Sequence, residues 1–216
     1  MTGFRDQPEA NDRHNDHLHL GFAAAPNRID YPQLLATVRV EAGEKRPYLL
    51  GISGHGGAGK TTLATRLAAE VGGLRIGTDS LYAADTTQRG LFDLHDWAQI
   101  LGLVGQLRGG STPVRYTTRT FDGIEGTKEL VPPAVVIIEG IRLIRPEIVE
   151  LVDATIWIDL PADVAGERAK RRNREQGDCE AEIQLWDTRW IPEALAYQDQ
   201  LRPEQLARFV IAAAGA

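Results

Sequence analysis

A doubly wound α/β sheet, mostly parallel, of about five strands with helices on both faces, is the fold class this sequence predicts. Three observations predict it. Short apolar runs alternate with longer stretches of helical spacing along most of the chain. "AVVIIEG" (134–140) is apolar without alternation, as a strand buried on both faces of a parallel sheet must be. A glycine-rich turn, "GHGGAGKT" (54–61), joins one apolar run directly to a helical stretch.

The elements follow in order. Residues 1–28 are polar and irregular and are expected to form a mobile tail, leaving 29–216 as a single domain. His14, His17 and His19 stand close together in that tail. They could capture a metal, but an unstructured arm is favoured because nothing completes a fixed site. "YPQLLATVRVEA" (31–42) reads as a helix, with Pro32 suited to the first turn and Leu34, Leu35 and Val38 at helical spacing. "YLLGIS" (48–53) reads as a buried strand, "TTLATRLAAEV" (61–71) as a helix stopped by Gly72 and Gly73, and "LRIGT" (74–78) as a second strand. "LHDWAQILGLVGQL" (94–107) is a helix by spacing, and residues 112–131 form an irregular strand-loop-strand excursion. After the 134–140 strand, "TIWIDL" (155–160) is another. "ADVAGERAKRRNRE" (162–175) is a basic helix, the core of a small lid near 162–178. A helical stretch carrying Ile183, Trp186, Trp190, Ala194, Tyr197 and Leu201 follows, broken or kinked at Pro192, and "FVIAA" (209–213) closes the chain as a strand. The spacing of Trp186 and Trp190 matches one helix face, so both are expected in the core.

Composition narrows the function. The 216 residues are 43% apolar and 25% charged, with a formal net charge of -6 and a pI near 5.4. That balance disfavours broad binding to nucleic acid or an anionic membrane, while a local basic cluster could still hold a phosphorylated ligand. Cys179 is the single cysteine, so no internal disulfide forms. No apolar run is long enough to span a bilayer, and the first 20 residues lack the apolar segment of a signal peptide. A cytoplasmic protein is expected, with homo-oligomerisation left open.

The turn at 54–61 fits G-x-x-x-x-G-K-[ST] at every fixed position, between a strand and a helix. This is the phosphate loop of the P-loop NTPase fold. Its glycines let backbone N–H groups turn inward around phosphates, and the helix N-terminus adds partial positive charge. Gly54, Gly56, Gly57, Ala58, Gly59, Lys60, Thr61 and Thr62 are accordingly assigned to the phosphates of a nucleotide. Lys60 reaches its β and γ phosphates and the Thr61 hydroxyl ligates Mg²⁺. His55 occupies a variable position and is read as incidental.

Two carboxylates end strands on the same side. Asp79, after "LRIGT", could take a proton from an attacking hydroxyl or bind Mg²⁺ through water; the plainer alternative is a helix N-cap. Glu139 ends "AVVIIE", where a carboxylate is costly unless it meets a cation or hydrogen-bond donors. It suits a metal-holding acid. Arg168, Lys170, Arg171, Arg172 and Arg174 crowd the lid helix, where guanidinium forks suit triphosphate oxygens; the alternative is a solvated face paired with Glu167 and Glu175.

In their order, these segments resemble the uridine/cytidine kinases of the phosphoribulokinase and uridine kinase superfamily. "DSLY" (79–82) resembles their "DSFY", "FDLHDW" (92–97) their "FDHPDAF", and "VIIEGI" (136–141) their "VLFEGI". "IWIDLPADVAGERAKRR" (156–172) is similar to their strand and Arg-rich lid helix. The resemblance covers residues 48–212. It implies Asp79 as general base on a sugar 5′-hydroxyl, Asp93 holding ribose hydroxyls, Tyr82 bordering the nucleoside, Thr61 and Glu139 serving Mg²⁺, and Arg168 and Arg171 clamping ATP phosphates. Lys60 and those two arginines would carry the transfer with Asp79.

The family's acceptor segment "PVYDF", followed by a histidine, is not matched. Pro113-Val114-Arg115-Tyr116 has an inserted Arg, no Asp after Tyr and no histidine, so Tyr116 is the remaining base contact and the base itself stays open. The short gap from Asp79 to Asp93 is closer to the nicotinamide riboside kinases. A small-molecule kinase acting on a nucleoside-like hydroxyl is the leading expectation. Nicotinamide riboside, pantothenate, a sugar or an antibiotic are alternative acceptors. A regulatory NTPase is the alternative of another class, although "TKEL" (127–130) lacks the Asp of a guanine-reading [NT]-K-x-D segment.

Overall fold

The computed structural model describes residues 27–43, 47–87 and 90–214. The three tail histidines lie outside them. The chain follows the order β1 (Asn27–Arg28), α1 (Tyr31–Ala42), β2 (Tyr48–Gly54), α2 (Lys60–Val71), β3 (Leu74–Gly77), α3 (Trp97–Arg108), β4 (Val114–Arg119), β5 (Glu125–Leu130), β6 (Val135–Glu139), α4 (Pro146–Val149), β7 (Ala154–Asp159), α5 (Ala162–Gln176), α6 (Glu180–Leu185), α7 (Ile191–Leu201), α8 (Pro203–Leu206) and β8 (Phe209–Ala212).

Six strands pair in the order β1-β8-β7-β2-β6-β3, all parallel. The sixth strand is Asn27–Arg28, which pairs with Phe209 and Val210. These two residues belong to the sheet rather than to the tail in which the sequence placed them. β2 sits centrally and all seven of its residues are buried. Its period-two alternation divides the core. Leu50 and Ile52 join Ile137 of β6 and Leu34 and Leu67 of α1 and α2 on one face. Leu49 joins Val136 and Ile138 and the α3 residues Ile100, Leu103 and Leu107 on the other. Burying each such Leu or Ile stabilises the fold by about 1.5–3 kcal/mol relative to exposure.

Three local features position the site. Asp96 caps α3, accepting the Gln99 N–H at 2.9 Å, so Leu94 and His95 precede the helix rather than open it. The excursion at 112–131 is an antiparallel hairpin of β4 and β5, packed on α3 through β4. Between α6 and α7, Trp186–Trp190 form a π-helical turn in which the Ile191 N–H donates to the Trp186 carbonyl. Pro192 has no N–H to donate back into the preceding turn, and the wider turn absorbs that gap. The register slip has a consequence for the tryptophans. Ile183 and Tyr197 stay buried, while Trp186 and Trp190 rotate off that face and are only partly covered.

Candidate active site

A cleft of about 510 Å³ opens at the carboxyl ends of β2, β3 and β6, beneath the lid. Its donor end is the turn between β2 and α2. Gly57 and Gly59 take φ of +90° and +94°, which disfavours any side chain. A Cβ on Gly57 would lie 2.1 Å from the carbonyl oxygen of Ala165 in α5, so the loop passes directly under the lid helix. Gly56, Gly57, Gly59, Lys60, Thr61 and Thr62 line the cleft, while Gly54 and Ala58 are buried behind it. The buried Lys60 ammonium donates to the His55 carbonyl at 2.8 Å. Burial lowers its pKa, against the opposing pull of Glu139 and Asp79. His55 is framework: its Nε2 lies 3.0 Å from Gln198 Oε1, its ring meets the edge of Trp157, and burial lowers its pKa.

The Thr61 hydroxyl donates to Glu139 Oε1 at 3.1 Å, and Glu139 is 2% exposed. The buried carboxylate is compensated by Arg75, whose Nη1 donates to the same oxygen at 2.6 Å. This hydroxyl and carboxylate pair offers the hard oxygen donors that Mg²⁺ prefers. Among the described residues no cluster of three or more His, Cys, Asp or Glu could hold a metal by itself. The pair fits an ion that completes its shell with phosphate oxygens and water.

Asp79 stands on a 3₁₀ turn, Thr78–Ser80, that follows β3. The N-cap of that turn is Gly77, so Asp79 does not serve as the cap. Its carboxylate is exposed and lines the same cleft as Lys60. Tyr82 lines it too, stacked on His95 with centroids 5.1 Å apart and planes 15° apart. His95 is held neutral: burial first, then Arg142 and Lys60, push its pKa down to about 3. Phe121, at the end of the hairpin, meets Tyr82 edge-on at 5.4 Å, and Trp190 meets Phe121 at 6.2 Å. Tyr82, Phe121 and Trp190 thus form one aromatic wall beside Asp79.

Several expected site residues fall elsewhere. Tyr116 is not in the cleft. Alternation along β4 turns Val114 and Tyr116 inward, Tyr116 is 8% exposed within the α3-side core, and burial raises its pKa. Asp93 does not line the cleft either; its carboxylate accepts the Gly90 N–H at 2.7 Å and fixes the turn before it. On α5, Arg168 and Arg172 face the cleft, whereas Arg171 is exposed outside it. The i, i+4 spacing of Arg168 and Arg172 was the available signal. Lys170 is engaged with Glu167 at 2.8 Å and Asp187 at 2.5 Å. Trp186 and Trp190, expected in the core, line the cleft instead because of the π-helical register. A Cβ on Gly56 would lie 2.7 Å from the Trp186 ring, which therefore lies against the phosphate loop.

Sequence reasoning missed Phe121, Trp190 and Arg142. Arg142 lines the cleft three residues beyond Glu139, 3% exposed, with φ of +59°. A left-handed backbone at a residue other than glycine costs energy and marks a constrained position. No local pattern announces it.

No family model matches the chain. It is 30% identical over 135 residues to a uridine kinase of Clostridium perfringens, spanning 56% of this chain and 65% of that protein. It is 27% identical over 151 residues to "Uridine kinase-like protein 5" of Arabidopsis thaliana, spanning 62% of this chain and 32% of that protein. The chain thus spans less than two thirds of either relative's length. Among solved structures, a candidate fructose transport system kinase from Silicibacter sp. TM1040 superposes with a TM-score of 0.64 at 21% identity, covering 82% of this chain and 98% of its own. A candidate uridine kinase from Bacillus stearothermophilus superposes with a TM-score of 0.57 at 18% identity, covering 83% of this chain and 99% of its own. The six-stranded parallel sheet with its phosphate loop is the P-loop kinase fold.

Proposed function

We propose that this uridine kinase-like chain, built on the P-loop kinase fold, is an ATP-dependent kinase that phosphorylates a hydroxyl of a nucleoside-like small molecule. One observation carries the reading: Lys60 of the phosphate loop and Asp79, a carboxylate free of capping duty, line one cleft whose far wall is aromatic. A hydrolytic switch has no use for such a wall. The planar ring of a nucleoside-like acceptor stacks on it over a full aromatic face, a larger contact than the C–H face of a free sugar or the chain of pantothenate makes.

The transfer follows from the residues in place. Asp79 accepts the proton of the acceptor hydroxyl as its oxygen bonds to the γ-phosphorus, and the bond to the leaving ADP oxygen breaks. Lys60 offsets negative charge on the β and γ phosphates. Arg168 and Arg172, the cleft-facing pair of α5, donate charge-assisted hydrogen bonds to phosphate oxygens as the lid approaches. Thr61 and Glu139 would hold Mg²⁺, which when bound neutralises charge on the donor phosphates. Gly57, tight under Ala165, keeps the loop and lid helix in register and helps exclude water from the transferring group.

The test is ATP consumption and product mass against a panel of nucleosides, other ribosides, free sugars and pantothenate. A ring-bearing riboside should stand out. If no hydroxyl acceptor raises turnover above the hydrolysis background, the reading is wrong.

A further inference from the structure

Behind the aromatic wall lies a buried ionic group of one carboxylate and two guanidinium ions. Glu193 of α7 accepts from two arginines, one per carboxylate oxygen. Arg142 Nη2 donates to Oε2 at 2.5 Å and Arg189 Nε donates to Oε1 at 3.0 Å. The arginines are 3% and 6% exposed, and the Glu193 side chain 14%. Each arginine then reaches the loop that runs from Tyr82 towards α3. Arg142 Nη1 donates to the Leu91 carbonyl at 2.7 Å, and Arg189 Nη2 donates to the Thr86 carbonyl at 2.9 Å.

Each arginine also bears on the cleft. Arg142 is itself part of its wall, and the Arg189 guanidinium lies 4.4 Å from the centre of the Trp190 ring. One carboxylate on α7 therefore fixes two cations, and each cation fixes the acceptor-side loop at a separate carbonyl. With each carboxylate oxygen taken by a different guanidinium, the orientation of Glu193 is fixed by two charge-assisted hydrogen bonds. A buried charge stripped of its partner is costly, so loosening any member loosens the others.

We propose that Glu193, Arg142 and Arg189 form a positioning hub that couples the acceptor-side loop to the π-helical turn and α7, so that the aromatic wall is set for the acceptor. All three are positioning residues. The coupling itself is mechanical, and its effect on turnover rests on the kinase reading above.

The experiment compares the full-length protein with Glu193→Gln and Arg142→Lys, by amide hydrogen exchange and by steady-state kinetics. In Glu193→Gln, amides around Thr86 and Leu91 and those of 186–191 should exchange faster together, by about tenfold, with α1 unchanged. The KM for the acceptor should rise about tenfold or more while the KM for ATP moves less than about twofold, a split that general destabilisation would not produce. Arg142→Lys keeps a cation opposite Glu193 and should fall between wild type and Glu193→Gln on both readouts. If Glu193→Gln does not fold, Arg142→Lys alone decides through the same paired exchange. Faster exchange in only one of the two segments, or equal rises in both KM values, would overturn the hub. If the wild type phosphorylates no acceptor, the kinase reading fails, and the exchange pattern still decides the coupling.

Discussion

The two ends of the cleft are built in opposite ways. The donor end is centred on one continuous stretch, from Gly54 to Thr62, which presents glycine backbone and a single lysine to the cleft. The acceptor end is assembled from separate segments: Asp79 and Tyr82 after β3, Phe121 in the turn between β4 and β5, Arg142 after β6, and Trp190 in the π-helical turn before α7. A site made of backbone needs glycine at fixed spacing, so its requirement is written locally. A site made of side chains from distant elements needs only that each arrive at the right place, and register determines that.

The contrast predicts different responses to damage. The largest effect is expected at the donor end. Lys60→Met should cut phosphoryl transfer by about 10²–10³-fold or more, because a preorganised buried cation beside the phosphate loop is lost where charge develops. Steady-state kinetics with protein of unchanged melting temperature checks this. Next comes the acceptor wall. Phe121→Ala or Trp190→Ala should raise the acceptor KM by about 5–150-fold, with ATP binding little changed, as loss of base–aromatic stacking worth about 1–3 kcal/mol implies. Isothermal titration with each ligand separates the two. If either variant weakened ATP binding as much as acceptor binding, the division of the cleft into two ends would be wrong.

The smallest effect concerns His95, which supports Tyr82 from behind. Its folded-state pKa of about 3 lies below the value of 6.5 expected when unfolded. Between those values the unfolded chain binds the extra proton, so stability is complete above pH 6.5 and declines as pH falls towards 3. The slope for this one group approaches about 1.4 kcal/mol per pH unit. His55, also lowered by burial, adds in the same direction. Urea denaturation between pH 7 and pH 5 should show the decline, and His95→Phe should flatten part of it.

The same contrast explains what was legible beforehand. The sheet could be read because β2 and β6 are apolar on both faces, a property that a parallel strand imposes on its own sequence. Strand β1 could not be read: two polar residues, Asn27 and Arg28, carry no strand pattern, and only the neighbouring β8 recruits them. Lys60, Thr61 and Glu139 were legible from a motif and a strand end. Tyr116 was placed in the cleft by resemblance, yet the alternation of β4 turns it into the core and leaves Phe121 at the wall. Trp186 and Trp190 were read as core from a 3.6-residue period, which a π-helical turn ahead of Pro192 displaces. Arg171 gave way to Arg172 because the helical face of α5 packed over Gly57, rather than charge density, selects the cleft-facing pair.

The central claim is that donor and acceptor meet across one cleft with Asp79 between them. Its most direct test is Asp79→Asn, measured for acceptor-dependent turnover and, separately, for ATP affinity by titration. Turnover should fall by about 10²–10⁴-fold, the range for loss of a positioned general base, while ATP affinity stays within a few-fold of wild type. Equal loss of both, or turnover that survives the substitution, would contradict it.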